Sequence, residues 1–303
     1  MKILFPSSPL NFKEVYPDFL EEFEAAQLVG FDCFLFDHDL LIESGKFKTT
    51  LPNNELGNFE TIILRSWMLK ENEYRALNDA LFFKGYSLIN NAEQYIQCHH
   101  LPNYYKFIKE FTAASSWATL EQLRAYGAEG TALGRKMLGE VDVLIKDYVK
   151  SAKGEEDIFI LKKELNDEEF HARVEKFIEA RGKLFDTGVV LRAFVDLKKY
   201  VGQTNEWRLF FLDGYLISKN FNSPQTLDVV EPTDEVIRQF APAFKQVNSK
   251  FFTVDLAEKA DGSWMILEMG DGQVSGLATH EKPIKYYNNL LCILTGQEVD
   301  LNL

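Results

Sequence analysis

The residues most suggestive of chemistry flank an Asp-Gly pair, Asp261-Gly262, near the end of the 303-residue chain. The pair separates two apolar, strand-like runs, which is the pattern of a β-hairpin with a two-residue turn. Asp255 and Glu268 are equally far from this turn, so they are expected to pair directly across the two strands. Two carboxylates with Cβ atoms about 5 Å apart repel each other unless a cation intervenes. A Mg²⁺ ion held by both carboxylates and by substrate phosphates would remove that repulsion.

A second Asp-Gly pair, Asp213-Gly214, predicts a hairpin with the opposite charge. The same rule places Arg208 opposite Lys219, and two facing cations favour an anion, such as a phosphate chain, between them. The alternative is that the two long side chains diverge into water. A bulge in either strand would change the pairing.

Three lysines follow one another closely at the end of a further strand-like run. Lys146 ends the run at 141–145, and Lys150 and Lys153 follow in a loop. In a chain this acidic, such a cluster is a candidate anion site, although lysines that flank a turn are also typical solubility charges. Taken with the carboxylate pair and the cation pair, it favours a metal-bound polyphosphate ligand.

Glycines follow the second carboxylate directly, at Gly270, Gly272 and Gly276. Glycine allows the backbone to approach a ligand closely, so this segment could bend over a bound group. A simple surface turn would have the same composition.

The first 110 residues alternate between strand-like and helical patterns, which predicts a small open α/β layer. A helix is expected over residues 17–28, with Pro17-Asp18 at its start. Neither a Gly-x-Gly-x-x-Gly fingerprint nor a Walker lysine occurs here, so no dinucleotide or P-loop site is expected. Buried strands are predicted from four short apolar runs, at 2–5, 33–36, 61–64 and 86–89.

Two capping boxes predict helices in the second half of the chain. Thr119-x-x-Gln122 begins a helix that Gly127 can end, and Asn166-x-x-Glu169 begins one that Gly182 closes. The strand that ends in Lys146 lies between them, and the two hairpins follow. This half is therefore predicted to be α+β.

Composition limits the possible partners and compartments. With 46 acidic and 33 basic side chains, the net charge of −13 argues against sequence-independent nucleic-acid binding and against anionic membranes. No run of about 20 apolar residues is present, so no membrane span is expected. The three cysteines are far apart and form neither a disulfide framework nor a zinc motif, which favours reduced thiols and a cytoplasmic protein.

At motif level the chain resembles the ATP-grasp superfamily, and within it a clade named for two arginines and a lysine. This implies an α+β fold in which two lobes enclose the nucleotide, at residues 111–303. A small α/β domain of the kind that precedes such lobes is expected at residues 1–110. The resemblance rests on four segments: Val143-Leu-Ile-Lys146, Val190-Leu-Arg192-Ala-Phe-Val-Asp196, Glu206-Trp-Arg208, and Asp255 through Glu268-Met-Gly-Asp-Gly-Gln.

The resemblance also implies roles for individual residues. Lys146 would contact the phosphates of ATP, and the loop that carries Lys150 and Lys153 would close over them. Asp196 would lie near the ribose, at the end of a hinge that receives adenine. Arg192 and Arg208 would be the two arginines of the clade, and with Lys219 they are the predicted catalytic cations.

The metal ligands implied by the resemblance are Asp255 and Glu268, in agreement with the hairpin pairing. Many family members have an asparagine two residues after this glutamate, where the present chain has Gly270. Either Asp271 replaces that asparagine, or one metal ion is lost.

Enzymes of this superfamily typically use ATP and Mg²⁺ to activate a carboxylate as an acyl phosphate and pass it to an amine. The resemblance thus implies a carboxylate–amine ligase that acts on a small molecule or a peptide, with an amino acid or peptide favoured. Phosphoryl transfer, nucleotidyl transfer and nucleotide binding without catalysis are the alternatives. No Ser/His/Asp or Cys/His constellation is evident, and the acyl-phosphate route needs none.

Overall fold

A parallel sheet forms the N-terminal part of the structure, a computed structural model that describes residues 1–54, 57–149, 160–223 and 228–297. The residues at the centre of this sheet are fully buried, as in parallel sheets that are covered on both faces: Ile3, Leu4, Phe5, Ile62, Ile63 and Leu64. The four predicted strands and the first helix are confirmed to within a few residues. The strands are β1 (Lys2–Pro6), β2 (Asp32–Phe36), β3 (Glu60–Leu64) and β4 (Tyr86–Leu88), in the order β2-β1-β3-β4. The helices are α1 (Leu20–Val29), α2 (His38–Ser44), α3 (Glu71–Phe83), α4 (Ala92–His99) and α5 (Leu101–Ile108).

An antiparallel sheet with two helices on one face follows. Both capping boxes are confirmed, at Thr119 and Asn166. Gly127 interrupts the first helix as predicted, because its φ of 50° and ψ of −134° are not helical, and a second helical stretch follows within the same element. The elements are β5 (Ser115–Thr119), α6 (Leu120–Lys136), β6 (Val143–Asp147), β7 (Ile160–Leu161), α7 (Asp167–Arg181) and β8 (Gly188–Ala193), with strand order β5-β8-β6-β7.

A second antiparallel sheet carries most of the remaining chain. One of its faces packs against α5 and against two short helices at 234–239 and 241–244. Part of the other face packs against the last helix, at 283–294. Its strands are β11 (Glu206–Leu212), β12 (Tyr215–Phe221), β13 (Phe251–Glu258) and β14 (Trp264–Asp271), in the order β12-β11-β13-β14. The other elements are β9 (Lys199–Tyr200), β10 (Gln203–Thr204), α8 (Asp234–Gln239), α9 (Ala241–Phe244) and α10 (Pro283–Leu294).

The β11–β12 hairpin has the predicted turn but not the predicted pairing. Asp213 and Gly214 both have positive φ, at 49° and 86°, as a type I′ turn requires. A bulge between Phe210 and Phe211 then shifts the register by one residue. Arg208 consequently lies opposite Asn220 rather than Lys219, so the predicted cation pair is wrong.

The β13–β14 hairpin has the predicted pairing for a different reason. Lys259 N–H donates to Ser263 O (2.8 Å), so the turn is one residue longer than expected. A bulge between Asp255 and Leu256 compensates for that residue. Asp255 therefore does lie opposite Glu268, and the predicted carboxylate pair is confirmed.

Buried polar contacts fasten the end of β14 to the N-terminal sheet. Asn90 is completely buried, and its Nδ2 donates to Phe251 O and to Asp271 Oδ2, both at 2.6 Å. Gln273 Oε1 accepts from Leu64 N–H (3.1 Å) at the end of β3. The helix α10 also packs against α1. The N- and C-terminal parts thus share buried surface, and a domain boundary at residue 110 stays a prediction.

We expect Asn90→Ala to lower the free energy of unfolding by about 2–3 kcal/mol, because it removes the buried hydrogen bonds that the Asn90 side chain makes to the backbone at Lys250 and Phe251 and to Asp271 Oδ2. Urea denaturation of both proteins measures this difference. The exposed Asn103, which makes one hydrogen bond to Ile96 O, offers a matched control. Asn103→Ala should change the stability by less than about 0.5 kcal/mol. A similarly small effect for Asn90→Ala would contradict the role given to this contact.

Candidate functional site

A cavity of about 600 Å³ lies between the two antiparallel sheets. Leu144 and Lys146 face it because side chains alternate along β6, whereas Val143 and Ile145 point into the core of the first sheet. The charged residues at the cavity wall come from five strands: Lys146 from β6, Arg192 from β8, Glu206 and Arg208 from β11, Asp255 from β13, and Glu268 from β14.

The other end of the cavity is apolar. Its wall includes the segment 194–197 that follows β8, which we call the hinge segment. Ala257 packs there with Ala113 and Met265, beside Val195 and Leu197. The cavity thus combines an apolar slot with a charged floor, the usual composition of a pocket for a ligand with an aromatic and an ionic part.

Lys146 joins the two sheets across the cavity. Its Nζ lies 3.0 Å from Glu268 Oε2, and the residue is 1% exposed. A buried ammonium requires a charged partner, and Glu268 supplies it. The pair brings together the predicted phosphate-binding lysine and one predicted metal ligand.

Arg208 holds the other predicted metal ligand in a forked ion pair. Its Nε lies 2.8 Å from Asp255 Oδ1 and its Nη2 lies 2.6 Å from Asp255 Oδ2. Burial is the largest single effect and lowers the pKa of Arg208, but the charge and hydrogen bonds of Asp255 and the charges of Glu268 and Glu206 together raise it above its ordinary value. Nη1 also donates to Gly276 O (3.0 Å), which ties the predicted glycine-rich segment to the cavity.

Arg192 is more deeply buried, and its bonds are structural. It donates to the carbonyls of Ile266 and Leu267 on β14 and to Thr112 Oγ1. Burial lowers its pKa. Arg192 thus fixes β14 to β8 beside the cavity, whereas Arg208 presents its guanidinium to the carboxylates.

Glu206 also faces the cavity, and it was not among the predicted site residues. Burial raises the pKa of its carboxyl, a hydrogen bond from Thr204 lowers it, and the charges of Asp255 and Glu268 raise it further. A signal was present in the sequence, because Glu206 is two residues before Arg208 and so lies on the same face of a strand.

Several predicted residues lie elsewhere. Asp196 is exposed and is not part of the cavity wall. Lys219 is on the opposite side of its strand from the predicted position, with its Nζ 2.6 Å from Glu231 Oε1. It therefore does not join Arg208 at the cavity, since the β11–β12 bulge reverses its direction. Lys150 and Lys153 lie outside the described residues.

The structure also does not bring Asp271 to the carboxylate pair. Asp271 is completely buried, and its carboxylate accepts hydrogen bonds from Asn90 Nδ2 and Gln273 N–H. Because it lies three residues after Glu268 on the same strand, its side chain points to the opposite face. The expectation that Asp271 is a metal ligand is corrected accordingly.

A larger residue than glycine at position 270 would be crowded in this arrangement. A Cβ at this position would lie 3.1 Å from both Thr253 Oγ1 and Ser275 Oγ. These two hydroxyls hydrogen-bond to each other at 2.8 Å. The site thus presents two carboxylates, Asp255 and Glu268, from neighbouring strands.

The donor set fits a Mg²⁺ ion held in part by a phosphate ligand. Magnesium prefers oxygen ligands and is typically bound by one or two carboxylates plus substrate phosphates. Within the described part of the chain, no three acidic, histidine or cysteine side chains form a complete metal site. Asp255 and Glu268 would therefore share the ion with the ligand, whose charge Lys146 and Arg208 could then neutralise.

The family model for the ATP-grasp domain, R2K clade family 3, matches residues 132–290, just over half of the chain. The chain belongs to this family, and the resemblance found in the sequence is confirmed.

Solved structures extend the likeness to almost the whole chain. D-cycloserine synthetase DcsG is 16% identical, with a TM-score of 0.60, and the match covers 97% of this chain and 100% of that one. The ATP-grasp ligase PsnB, complexed with a minimal precursor, is 14% identical, with a TM-score of 0.59 and coverage of 98% and 99%. The D-alanine–D-alanine ligase from Coxiella burnetii is 12% identical, with a TM-score of 0.59 and coverage of 96% and 91%. At these identities the likeness shows the fold, and the predicted ATP-grasp fold is confirmed, whereas the separate small α/β domain before it stays a prediction.

Two further comparisons yield negative findings. No match was found among curated protein sequences. Among the residues that the structure describes, no helix is long and apolar enough to cross a membrane.

Asp271 makes the stability of the fold depend on pH. Burial raises its pKa to about 6, although Asn90 and Gln273 donate hydrogen bonds to it. An aspartate in the unfolded chain has a pKa near 3.9, so the folded state binds the proton more tightly. This group therefore favours folding most below about pH 4, and the contribution is lost as the pH rises through about 6.

We expect the free energy of unfolding of the wild type, relative to Asp271→Asn, to fall by about 2–3 kcal/mol between pH 4 and pH 7. Urea denaturation at several pH values measures this difference. Asp79 is exposed on α3, and Asp79→Asn should follow the wild type at every pH. A constant difference between wild type and Asp271→Asn would rule out this titration.

Proposed function

We propose that this protein binds ATP with Mg²⁺ between its two antiparallel sheets and uses it to join a carboxylate to an amine. The observation that carries the proposal is the pairing at the cavity floor. Two carboxylates from neighbouring strands each have a cation partner there, Asp255 with Arg208 and Glu268 with Lys146. When a nucleotide and a metal ion bind, the two carboxylates could contact the metal ion and the two cations could contact the phosphates.

The apolar and charged ends of the cavity favour one orientation of the nucleotide. The apolar slot beside the hinge segment suits adenine, since residues Met265 and Leu267 on β14 face Val195 and Leu197 there. The charged floor suits the phosphates, with Lys146 and Arg208 as their nearest cations. Family membership supports the same ligand.

Asp255 and Glu268 would hold the metal ion. When bound, Mg²⁺ would neutralise the charge that develops on the transferred phosphoryl group. Arg208 and Lys146 would contribute to the same end as fixed positive groups in a partly dehydrated cavity. Arg192 would act indirectly, by holding β14 and therefore Glu268 in place.

The proposed chemistry needs no nucleophile from the protein. A carboxylate oxygen of the substrate attacks the γ-phosphorus, which gives an acyl phosphate and ADP. The amine then attacks the acyl carbon, and inorganic phosphate leaves. In agreement with this route, no serine, cysteine or histidine lines the cavity among the described residues.

The solved relatives support a substrate of amino-acid or peptide type. One is a ligase of D-alanine, one is a synthetase of D-cycloserine, and one was complexed with a minimal precursor. We propose an amino acid or a peptide as the carboxylate or amine partner of the present chain.

Asp255→Asn and Glu268→Gln should each weaken Mg²⁺-dependent nucleotide binding by at least roughly tenfold, because each removes a charged ligand from the ion. Calorimetric titration of a non-hydrolysable ATP analogue, with and without Mg²⁺, measures the effect. Asp261 lies in the turn of the same hairpin and is exposed, so Asp261→Asn is the matched control and should bind as the wild type does. Unchanged binding in both site variants would remove the metal assignment.

The nucleotide product distinguishes ligation through an acyl phosphate from nucleotidyl transfer. With a panel of amino acids and peptides, and with hydroxylamine as the amine, we expect ADP, inorganic phosphate and a hydroxamate. Chromatography of the nucleotides and the ferric hydroxamate colour detect these products. Formation of AMP would contradict the acyl-phosphate route.

A further inference from the structure

A partly buried carboxylate next to the cavity, Glu281, is held by neutral partners. Glu281 lies in the segment between β14 and α10, and its Oε2 accepts hydrogen bonds from Ser218 Oγ and Asn220 Nδ2. Among the described residues no cation forms an ion pair with it, and Lys285, four residues later, acts on it through its charge alone. A carboxylate has about four acceptor sites, so Glu281 can still bind a cation.

Strand register places Glu281 beside the charged floor of the cavity. A row of directly opposed residues crosses four neighbouring strands on one face of the sheet: Glu268, Asp255, Arg208 and Asn220. Asn220 ends this row and donates to Glu281. Neighbouring strands are about 4.8 Å apart, so Glu281 is held roughly one strand beyond Arg208, on the side away from Asp255.

The wall of the nucleotide cavity comes close to Glu281 without including it. Thr279 belongs to the wall and precedes Glu281 by two residues, and Asn222 belongs to it and follows β12 directly. Gly276 O accepts a hydrogen bond from Arg208 Nη1 (3.0 Å), which holds the segment that leads to Glu281 against the floor. Glu281 is therefore a neighbour of the proposed phosphate position rather than a part of the nucleotide site.

Glu281 also lies on the side of the floor that faces away from the hinge segment. The residue before β11, Asn205, donates its N–H to Lys198 O (3.0 Å), just after the hinge segment. Ser218 lies opposite Phe210, which is further along β11 than Arg208. A nucleotide with adenine at the hinge segment and its phosphates at Arg208 would thus end before Glu281, where a second substrate would bind.

We infer that Glu281 binds the ammonium group of a free α-amino acid whose carboxylate is activated beside Arg208. This inference rests on the proposed function. The amino nitrogen and the carboxyl carbon of an α-amino acid are roughly 2.5 Å apart, from standard bond lengths and angles. Both groups therefore fit within the spacing of about 4.8 Å between the strands at Arg208 and Asn220. The C-terminal carboxylate of a peptide has no ammonium group beside it, so the site favours a free amino acid.

The surroundings of Glu281 favour a cationic group. Burial raises the pKa of its carboxyl, whereas hydrogen bonds from Ser218 and Asn220 and the charge of Lys285 lower it. An ammonium group would form a charge-assisted hydrogen bond with this carboxylate and stabilise its ionised form. Because Ser218 is buried and Asn220 is half-buried, these two donors fix the orientation of the carboxylate.

The test compares amino acids with the same acids without the amino group, such as alanine with propionate and glutamate with glutarate. Each is supplied with ATP, Mg²⁺ and hydroxylamine, and the panel also includes D-amino acids and short peptides. This change removes the ammonium charge and adds no bulk. The wild type should form hydroxamate from at least one free amino acid with a kcat/KM at least roughly tenfold above that of its desamino counterpart, as expected for a hydrogen bond between charged groups.

Glu281→Gln should raise the KM for that amino acid at least roughly tenfold and change kcat by less than about twofold, because the lost contact is made in the bound substrate and in the transition state alike. The same variant should use the desamino acid as the wild type does, and Glu281→Asp should keep part of the preference. Glu235 is exposed on α8, so Glu235→Gln is the control and should match the wild type. Thermal unfolding verifies that each variant is folded.

The results separate this inference from the proposed function. If the wild type forms neither ADP nor hydroxamate with any carboxylate of the panel, the proposed function is wrong and the inference is wrong with it. Only the ammonium assignment is overturned if peptides react and free amino acids do not, or if desamino acids react as well as amino acids. The same holds if Glu281→Gln keeps the wild-type preference.

Discussion

Like charges on neighbouring strands are the constraint on which this site depends. Asp255 and Glu268 face each other across β13 and β14, an arrangement that destabilises a sheet unless positive charge lies close by. Arg208 and Lys146 supply that charge from two other strands, one of them in the opposite sheet. The charges of the two carboxylates are thereby neutralised in the protein without ligand. When a metal ion and a phosphate chain bind, the carboxylates could contact the metal ion and the two cations could contact the phosphates, so the charges would stay neutralised.

The strand that carries Glu268 is fixed on both sides of this residue. Before it, Arg192 donates to the carbonyls of Ile266 and Leu267. After it, Asp271 accepts a hydrogen bond from Asn90 of the N-terminal layer. The position of one metal ligand therefore depends on contacts with both the hinge side of the cavity and the N-terminal sheet. Surrounding contacts of this kind are typical of sites that need a fixed geometry, because a polar side chain keeps its position only when packing and hydrogen bonds hold the residues around it.

Much of the fold was predictable from the sequence, because local signals agree with the tertiary structure. The N-terminal strands, both capping boxes and the Asp213-Gly214 turn are examples. Two bulges were not predictable, since nothing in the residue types marks them, and each changes the register by one residue. One bulge moved Lys219 away from Arg208, and the other preserved the pairing of Asp255 with Glu268 by cancelling a longer turn.

Two site residues could have been assigned better from the same sequence. The three-residue spacing between Glu268 and Asp271 places them on opposite faces of a strand, and the two-residue spacing between Glu206 and Arg208 places those on one face. The exposure of Asp196, in contrast, could not be predicted from residue spacing. It depends on the path of the hinge segment between the two sheets, which local periodicity does not encode.

The most direct measurement of the central claim is a crystal structure with a non-hydrolysable ATP analogue and Mn²⁺ in place of Mg²⁺. We expect the anomalous signal of manganese between the carboxylates of Asp255 and Glu268, the phosphates beside Lys146 and Arg208, and adenine against the hinge segment. A nucleotide or metal ion bound elsewhere, with the Arg208–Asp255 and Lys146–Glu268 pairs unchanged, would contradict the claim that these pairs form the nucleotide site.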